Sequence, residues 1–213
     1  MAEVRETAAS VAPERVEIRC SGSGGQGILL AAAIIAEAAA AIGKQVVQTQ
    51  SYGPEARGGA SKAEVIVADE PIDYPEVRRP HVSLVLSQAA YEKYAGETSP
   101  GGLLIYDSGL VEVDPDDESV VRCGLPFTQV ATEDLGKTVV TNIVAVGALA
   151  QLIGVLPAEA VREAVLKRVP PRFKDLNAQA FDLGLRLGEE AQAMLATPTV
   201  RETTAARASD HVD

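Results

Sequence analysis

The sequence has no tryptophan and only 4% aromatic residues, so alanine, valine, leucine and isoleucine must build its core. A row of aromatic platforms for stacking single-stranded nucleic acid is excluded. Cysteine is nearly as scarce, with Cys20 and Cys123 alone in the chain. They are too far apart for a CxxC zinc or redox motif and too few to hold an iron–sulfur cluster. The two histidines, His81 and His211, exclude a histidine-rich metal site. Any electron carriers used with this chain therefore sit elsewhere. Positive charge is in the minority: 19 Lys and Arg face 30 Asp and Glu, a net charge of −11. That is the wrong sign for a binder of nucleic-acid phosphates. Long hydrophobic runs are also missing. Residues 28–42 are Ala-rich, contain Glu37 and fall short of a membrane span, and the run 143–156 holds Gln151. The first ten residues carry Glu3 and Glu6 and no apolar signal segment. The expectation is a cytoplasmic protein with no membrane segment, and two cysteines fit a reducing compartment.

What is present reads as one globular domain. The 213 residues are 46% apolar and 23% charged, close to the folded average. Residues 1–14 and 197–213 lack apolar periodicity and read as mobile tails around a domain at 15–196. Within it, Arg15–Cys20 alternates as a first strand, Ser21–Gly27 is a glycine loop, and Gly27–Ile42 has helix length with Gly43 as C-cap. Further strands are expected at 45–50, 61–68, 82–86, 103–106 and 119–123, with a short helix at 88–94. From Phe127 onward the chain turns helical, with helices at 142–153, 158–168 and about 175–195. The fold class is α/β: a mostly parallel Rossmann-like sheet with helices on both faces and a helical C-terminal flank.

The glycine loop Gly22-Ser23-Gly24-Gly25-Gln26-Gly27 follows a strand and opens a helix, the context of a dinucleotide fingerprint. Its glycines permit a tight turn, and the helix N-terminus presents unpaired N–H groups to an anion. The acid that should end the second strand and hold a ribose is missing, because that strand ends Gln48-Thr49-Gln50-Ser51. A stand-alone nicotinamide or flavin enzyme is thus disfavoured. Three roles remain for the loop: close helix packing, a phosphate or diphosphate site, or a docking place for a partner's backbone.

A second loop, Ser51 to Gly59, carries Tyr52, Glu55, Arg57, Gly58 and Gly59. A guanidinium can grip a carboxylate or phosphate with two parallel hydrogen bonds. Glu55 could orient Arg57, and Tyr52 adds a hydroxyl. Both loops leave the carboxyl ends of strands, where ligands of doubly wound folds bind. A long hairpin turn shaped by Gly and Pro explains the second loop equally well. Asn142 reads as a helix N-cap and Asn177 lies near a helix start. Cys20 reads as a packed, inert thiol. Asp107-Ser108 either lines the same sheet edge or makes a turn.

In these two loops the sequence resembles the gamma subunits of 2-oxoacid:ferredoxin oxidoreductases, among them most the 2-oxoglutarate enzymes, in the pyruvate/ketoisovalerate oxidoreductase catalytic domain family. The resemblance continues through Pro100-Gly101-Gly102, Ile105-Tyr106-Asp107-Ser108, Asn142–Leu149 and Asn177 to Gly184. His81 departs from it, where many relatives carry Asp. The resemblance implies an enzyme that decarboxylates a 2-oxoacid, joins the acyl group to coenzyme A and reduces ferredoxin. It implies thiamine diphosphate between alpha and beta partner subunits, iron–sulfur clusters in other chains, and a delta or ferredoxin-like subunit as a further partner. Within that frame Gly22, Gly24, Gly25, Gln26, Gly27, Tyr52, Glu55, Arg57, Gly58 and Gly59 are expected to face coenzyme A, another anion or a partner. The chain alone is expected to be inactive. An assembly module without catalytic residues is the other role compatible with the sequence.

Overall fold

The structure is a computed structural model that describes residues 14–50 and 59–196. The expected tails, apart from Glu14, lie outside the described residues, as do Ser51 to Gly58 of the second loop. The strands are β1 (Arg15–Ser23), β2 (Gln45–Gln50), β3 (Ala60–Ala68), β4 (Val82–Val85), β5 (Leu103–Asp107) and β6 (Val121–Leu125). The helices are α1 (Ile28–Ala41), α2 (Gln88–Tyr94), α3 (Phe127–Glu133), α4 (Thr141–Ile153), α5 (Ala158–Arg168) and α6 (Lys174–Ala196).

The strands form one sheet in the order β2-β3-β1-β4-β5-β6. The ladders from β1 through β4 and β5 to β6 are parallel, whereas β3 runs antiparallel to both its neighbours. The alternation of side chains sorts the sheet into two faces. Val16, Ile18 and Cys20 of β1, Leu84 of β4 and Ile105 of β5 join the main core with α1 and α3–α6. Val85, Leu104 and Tyr106 point the other way and meet Ala90 and Tyr94 of α2. Helices thus cover both faces, very unequally.

Alanine dictates how the thick side packs. Ala31, Ala32, Ala38 and Ala39 of α1 are fully buried, and such short side chains let the helix axis approach the sheet. Glycine does the same between α4 and α6. A Cβ on Gly184 would lie 1.9 Å from the Val144 carbonyl oxygen, and one on Gly147 would lie 2.3 Å from that of Phe181. The two helices touch backbone to backbone, and this contact fixes the ends that carry Asn142 and Asn177.

The thin side holds a charged residue that periodicity hides. Arg19, on the central strand, is 1% exposed. Its guanidinium pairs with Glu64 of β3 at 2.7 Å and with Glu97, and lies 5.9 Å from the centre of the Tyr94 ring. Lys62 completes the group, 2.9 Å from Glu64.

Three expected boundaries are corrected. The first strand runs on from Cys20 to Ser23, because Ser21–Ser23 pair with Ala60–Lys62 of β3. The last strand is Val121–Leu125, two residues beyond 119–123. Gly124 sits inside it opposite Tyr106, whose ring lies 2.6 Å from the place of a Cβ there. Asn142 is not an N-cap: the N-cap of α4 is Val140, and Asn142 instead donates across to the Gly27 carbonyl at 3.3 Å.

Candidate functional site

The chain leaves the end of β1 for β2 and β3 on one side, while β4 and β5 lie on the other. The glycine loop springs from that switch point, where open α/β sheets bind ligands. The hydrogen bond from Gln26 N–H to the Ser23 carbonyl, 3.2 Å, closes the turn. Gly25 (φ 89°) and Gly27 (φ 72°) are both left-handed, a conformation that L side chains resist. Gly27 is the N-cap of α1 and offers no side-chain cap, and no acid stands in the first turn. The first N–H groups of a 14-residue helix therefore face the loop without intrahelical acceptors.

Two cavities adjoin this turn, and Gly25, Asn142 and Val139 border both. The first, about 450 Å³, is bordered by Thr128, Thr138 and Thr141 beside Gln26, and its surface is mostly apolar because Thr128 and Thr141 spend their hydroxyls on Asp107 and the Thr138 carbonyl. Asp107, fully buried at the end of β5, organises that wall. Its Oδ2 accepts from Thr128 N–H (3.0 Å) and Thr128 Oγ1 (2.5 Å), and its Oδ1 accepts from Gly109 N–H (3.1 Å). The carboxylate so caps α3, whose own N-cap is a proline. The second cavity, about 530 Å³, lies between α1 and α6, with Leu30, Ile143, Phe173 and Leu176 as apolar wall and Asn177 among its polar groups. Asn177 is anchored by donating to the Phe173 carbonyl at 2.8 Å. Lys137 borders this cavity and has no ion pair among the described residues.

Of the residues singled out in the sequence, Gly24, Gly25, Gln26 and Gly27 stand together at the switch point. Gly22 lies just below, within β1 opposite Ser61. Gly59 leads into Ala60, which pairs with Ser23, so the second loop rejoins the sheet beside the first. Tyr52, Glu55, Arg57 and Gly58 lie outside the described residues. The side chain of Gln26 turns back on the loop, accepting from Ser23 N–H at 2.6 Å and donating to the Leu86 carbonyl at 2.7 Å.

Other residues take no part. His81 accepts from the Glu17 N–H through Nδ1 at 3.0 Å and extends the sheet's bonding beyond β4. Cys20 is fully buried, and desolvation pushes its thiol up to about 12. Burial raises Cys123 as well.

Sequence reasoning passed over Thr128, Thr138, Thr141 and Lys137, and misread Asn142. The available signal was the polar pair Thr141-Asn142 opening an otherwise apolar helix. The topology also explains the missing ribose acid. β3 separates β2 from β1, so the end of β2 is about 10 Å from the glycine strand, two strand spacings away. An acid there would stand one strand further off than in the dinucleotide fold.

Comparison with known proteins gives a consistent set of relatives. The family model for pyruvate ferredoxin/flavodoxin oxidoreductase matches residues 17–187. The 2-oxoglutarate synthase subunit KorC of Methanocaldococcus jannaschii is 46% identical over 178 residues, which cover 83% of this chain and 95% of that subunit. Among solved structures, the gamma subunit of a keto/oxoacid ferredoxin oxidoreductase from Geobacter sulfurreducens superposes with a TM-score of 0.76 at 45% identity, covering 83% of this chain and 98% of that one. The 2-oxoglutarate:ferredoxin oxidoreductase from Magnetococcus marinus, solved with 2-oxoglutarate, coenzyme A and succinyl-CoA bound, gives a TM-score of 0.75 at 26% identity. That match covers 84% of this chain and 32% of the longer one.

Proposed function

We infer the function of this chain from one premise: it belongs to the pyruvate ferredoxin/flavodoxin oxidoreductase family. It serves as the gamma subunit of a 2-oxoacid:ferredoxin oxidoreductase whose 2-oxoacid is 2-oxoglutarate. The assembled enzyme removes carbon dioxide from the substrate, joins the remaining acyl group to coenzyme A and passes the released electrons to ferredoxin. The observation that carries this reading is the identity to a 2-oxoglutarate synthase subunit over nearly that subunit's whole length. Thiamine diphosphate and iron–sulfur clusters belong, in this reading, to alpha, beta and delta-type partners in the cytoplasm.

The part given to this chain is to receive an anionic cosubstrate. N–H groups at the start of α1, without acceptors among the described residues, and the Lys137 ammonium supply positive potential at one sheet edge, and the sequence proposes Arg57, outside the described residues, as a further grip. The neighbouring cavities supply a threonine-bordered and an apolar wall. Coenzyme A combines phosphates with an apolar arm and suits such an edge.

The test is to purify the tagged chain with its partners and assay the complex, then repeat with Arg57→Ala. Thiamine-binding subunits should copurify. The variant should assemble normally and raise KM for coenzyme A about tenfold or more, the scale of a hydrogen bond to a charged group. Unchanged assembly with unchanged affinity for both substrates would refute the role of Arg57. An isolated chain that decarboxylates 2-oxoacids unaided would refute the division of labour.

One observation favours a second reading, in which this edge mainly joins subunits. Val139, between the two cavities, is 80% exposed, and Leu110 and Phe173 nearby are more than 40% exposed. That reading expects loop variants to weaken assembly and to leave turnover of the assembled enzyme alone.

A further inference from the structure

We infer that Gln26 is the positioning residue of the glycine loop, acting on the site through the two backbone groups that its carboxamide joins. The inference rests on the reading above that this loop forms a binding edge. The parallel ladder between β1 and β4 ends at Ser21 and Val85. Beyond it, Leu86 N–H still donates to the Ser21 carbonyl at 2.9 Å. The next connection across the gap is the Gln26 side chain. Its Oε1 accepts from Ser23 N–H and its Nε2 donates to the Leu86 carbonyl. One residue thus closes the turn by its main chain and ties it to the neighbouring strand by its side chain.

The chemistry admits few substitutes. Glutamate has two acceptors and, ionised, no donor for Leu86. Asparagine is one methylene too short to span the same two groups. Methionine fills the volume and supplies neither bond. The folded carboxamide also accounts for the first glycine of the motif. A Cβ on Gly22 would lie 2.7 Å from Gln26 Oε1 and 3.0 Å from Ile28 Cγ2. Gly22 is therefore bare to admit a side chain of its own loop, whereas Gly25 and Gly27 are required by their dihedral angles.

The tie has a second leg through α2. Ser87, next to Leu86, caps that helix by accepting from Ala90 N–H at 3.3 Å. At its other end Tyr94 donates to the Ala60 carbonyl at 3.3 Å, and Ala60 pairs with Ser23. Gln26 thereby closes a ring from the glycine loop through β4, α2 and β3 back to the start of the loop.

The experiment uses the assembled enzyme carrying Gln26→Met or Gln26→Glu, each compared with the parent at the same pH. Hydrogen exchange is read in the segment containing Ser23, and KM and kcat are read for coenzyme A. Gln26→Met should exchange faster, on the order of tenfold, at every pH. It should raise KM for coenzyme A by a similar factor, with kcat within about twofold. Gln26→Glu, ionised and without a donor for the Leu86 carbonyl, should lose that bond and exchange faster than the parent at pH 8. Exchange unchanged in Gln26→Met overturns the inference. So does Gln26→Glu exchange equal to the parent's at pH 8, which decides the matter even where the Met variant fails to assemble. Faster exchange with unaltered KM upholds the tie and refutes instead the assignment of the loop to coenzyme A.

Discussion

Replacing Gly184 with alanine tests the backbone contact between α4 and α6. In an exposed helix interior this change stabilises by about 1 kcal/mol. Here the new methyl would stand 1.9 Å from the Val144 carbonyl oxygen and 2.7 Å from its carbon. An ordinary carbon–oxygen contact is about 3.3 Å, so the helices must part by roughly 1.4 Å. Neither atom can swing aside, because both belong to helical backbone. Overpacking of this kind costs about 3 kcal/mol, leaving a net loss of about 2 kcal/mol after the propensity gain. For a domain of this size that lowers Tm by about 4–8 °C. Calorimetry or circular dichroism on Gly184→Ala reads it directly, with Gly96→Ala as control, since nothing lies within 4 Å of a Cβ there. The separation would also widen the apolar cavity, because Asn142 and Asn177 ride on the two helices, so KM for coenzyme A should rise with the loss of stability. A Tm equal to or above the parent's would show that the helices do not touch as described.

Two further outcomes follow from the ionisable groups. Cys20, with its thiol pushed up to about 12 by burial, should resist iodoacetamide at pH 8 in the native protein and react once denatured; native labelling at the unfolded rate would contradict its packing. The hydrogen bond from Arg168, reinforced by its charge, holds the Glu37 carboxyl below its ordinary value despite some opposing desolvation. A depressed carboxyl stabilises the fold above the unfolded value, about 4.3, and loses that contribution as pH falls through the folded value. Arg168→Gln should therefore lower Tm slightly at pH 7 and not at pH 3, slightly because both side chains are 38% exposed; an equal deficit at both pH values would assign the effect to packing.

Helices α1, α2 and α5 and strand β2 were legible in the sequence within a residue or so, because apolar spacing and flanking glycines report local burial. The sense of β3 was not. Alternation is the same for parallel and antiparallel strands, and the nine residues between Gln50 and Ala60 allow either a hairpin or a crossover turn. Of the site, the glycine loop was legible because its dihedral demands are local. The wall facing it was not, because Thr128, Thr138 and Asn142 lie more than a hundred residues further along the chain and reach it only through the sheet.

The buried Arg19 has a consequence for the fidelity of folding. Ion pairs out of water add little to stability over an apolar pair of the same volume, but an unpaired buried charge is severely penalised. Were β1 to slide by one residue against β3, every side chain would change face. Arg19 would then enter the alanine layer under α1, and Ile18 would stand against Glu64. The glycine loop would start about 3.4 Å away from its place beside Leu86, beyond the span of Gln26. The charged cluster thus works as a check on alignment, rejecting at the centre of the sheet an error whose damage would fall at its edge.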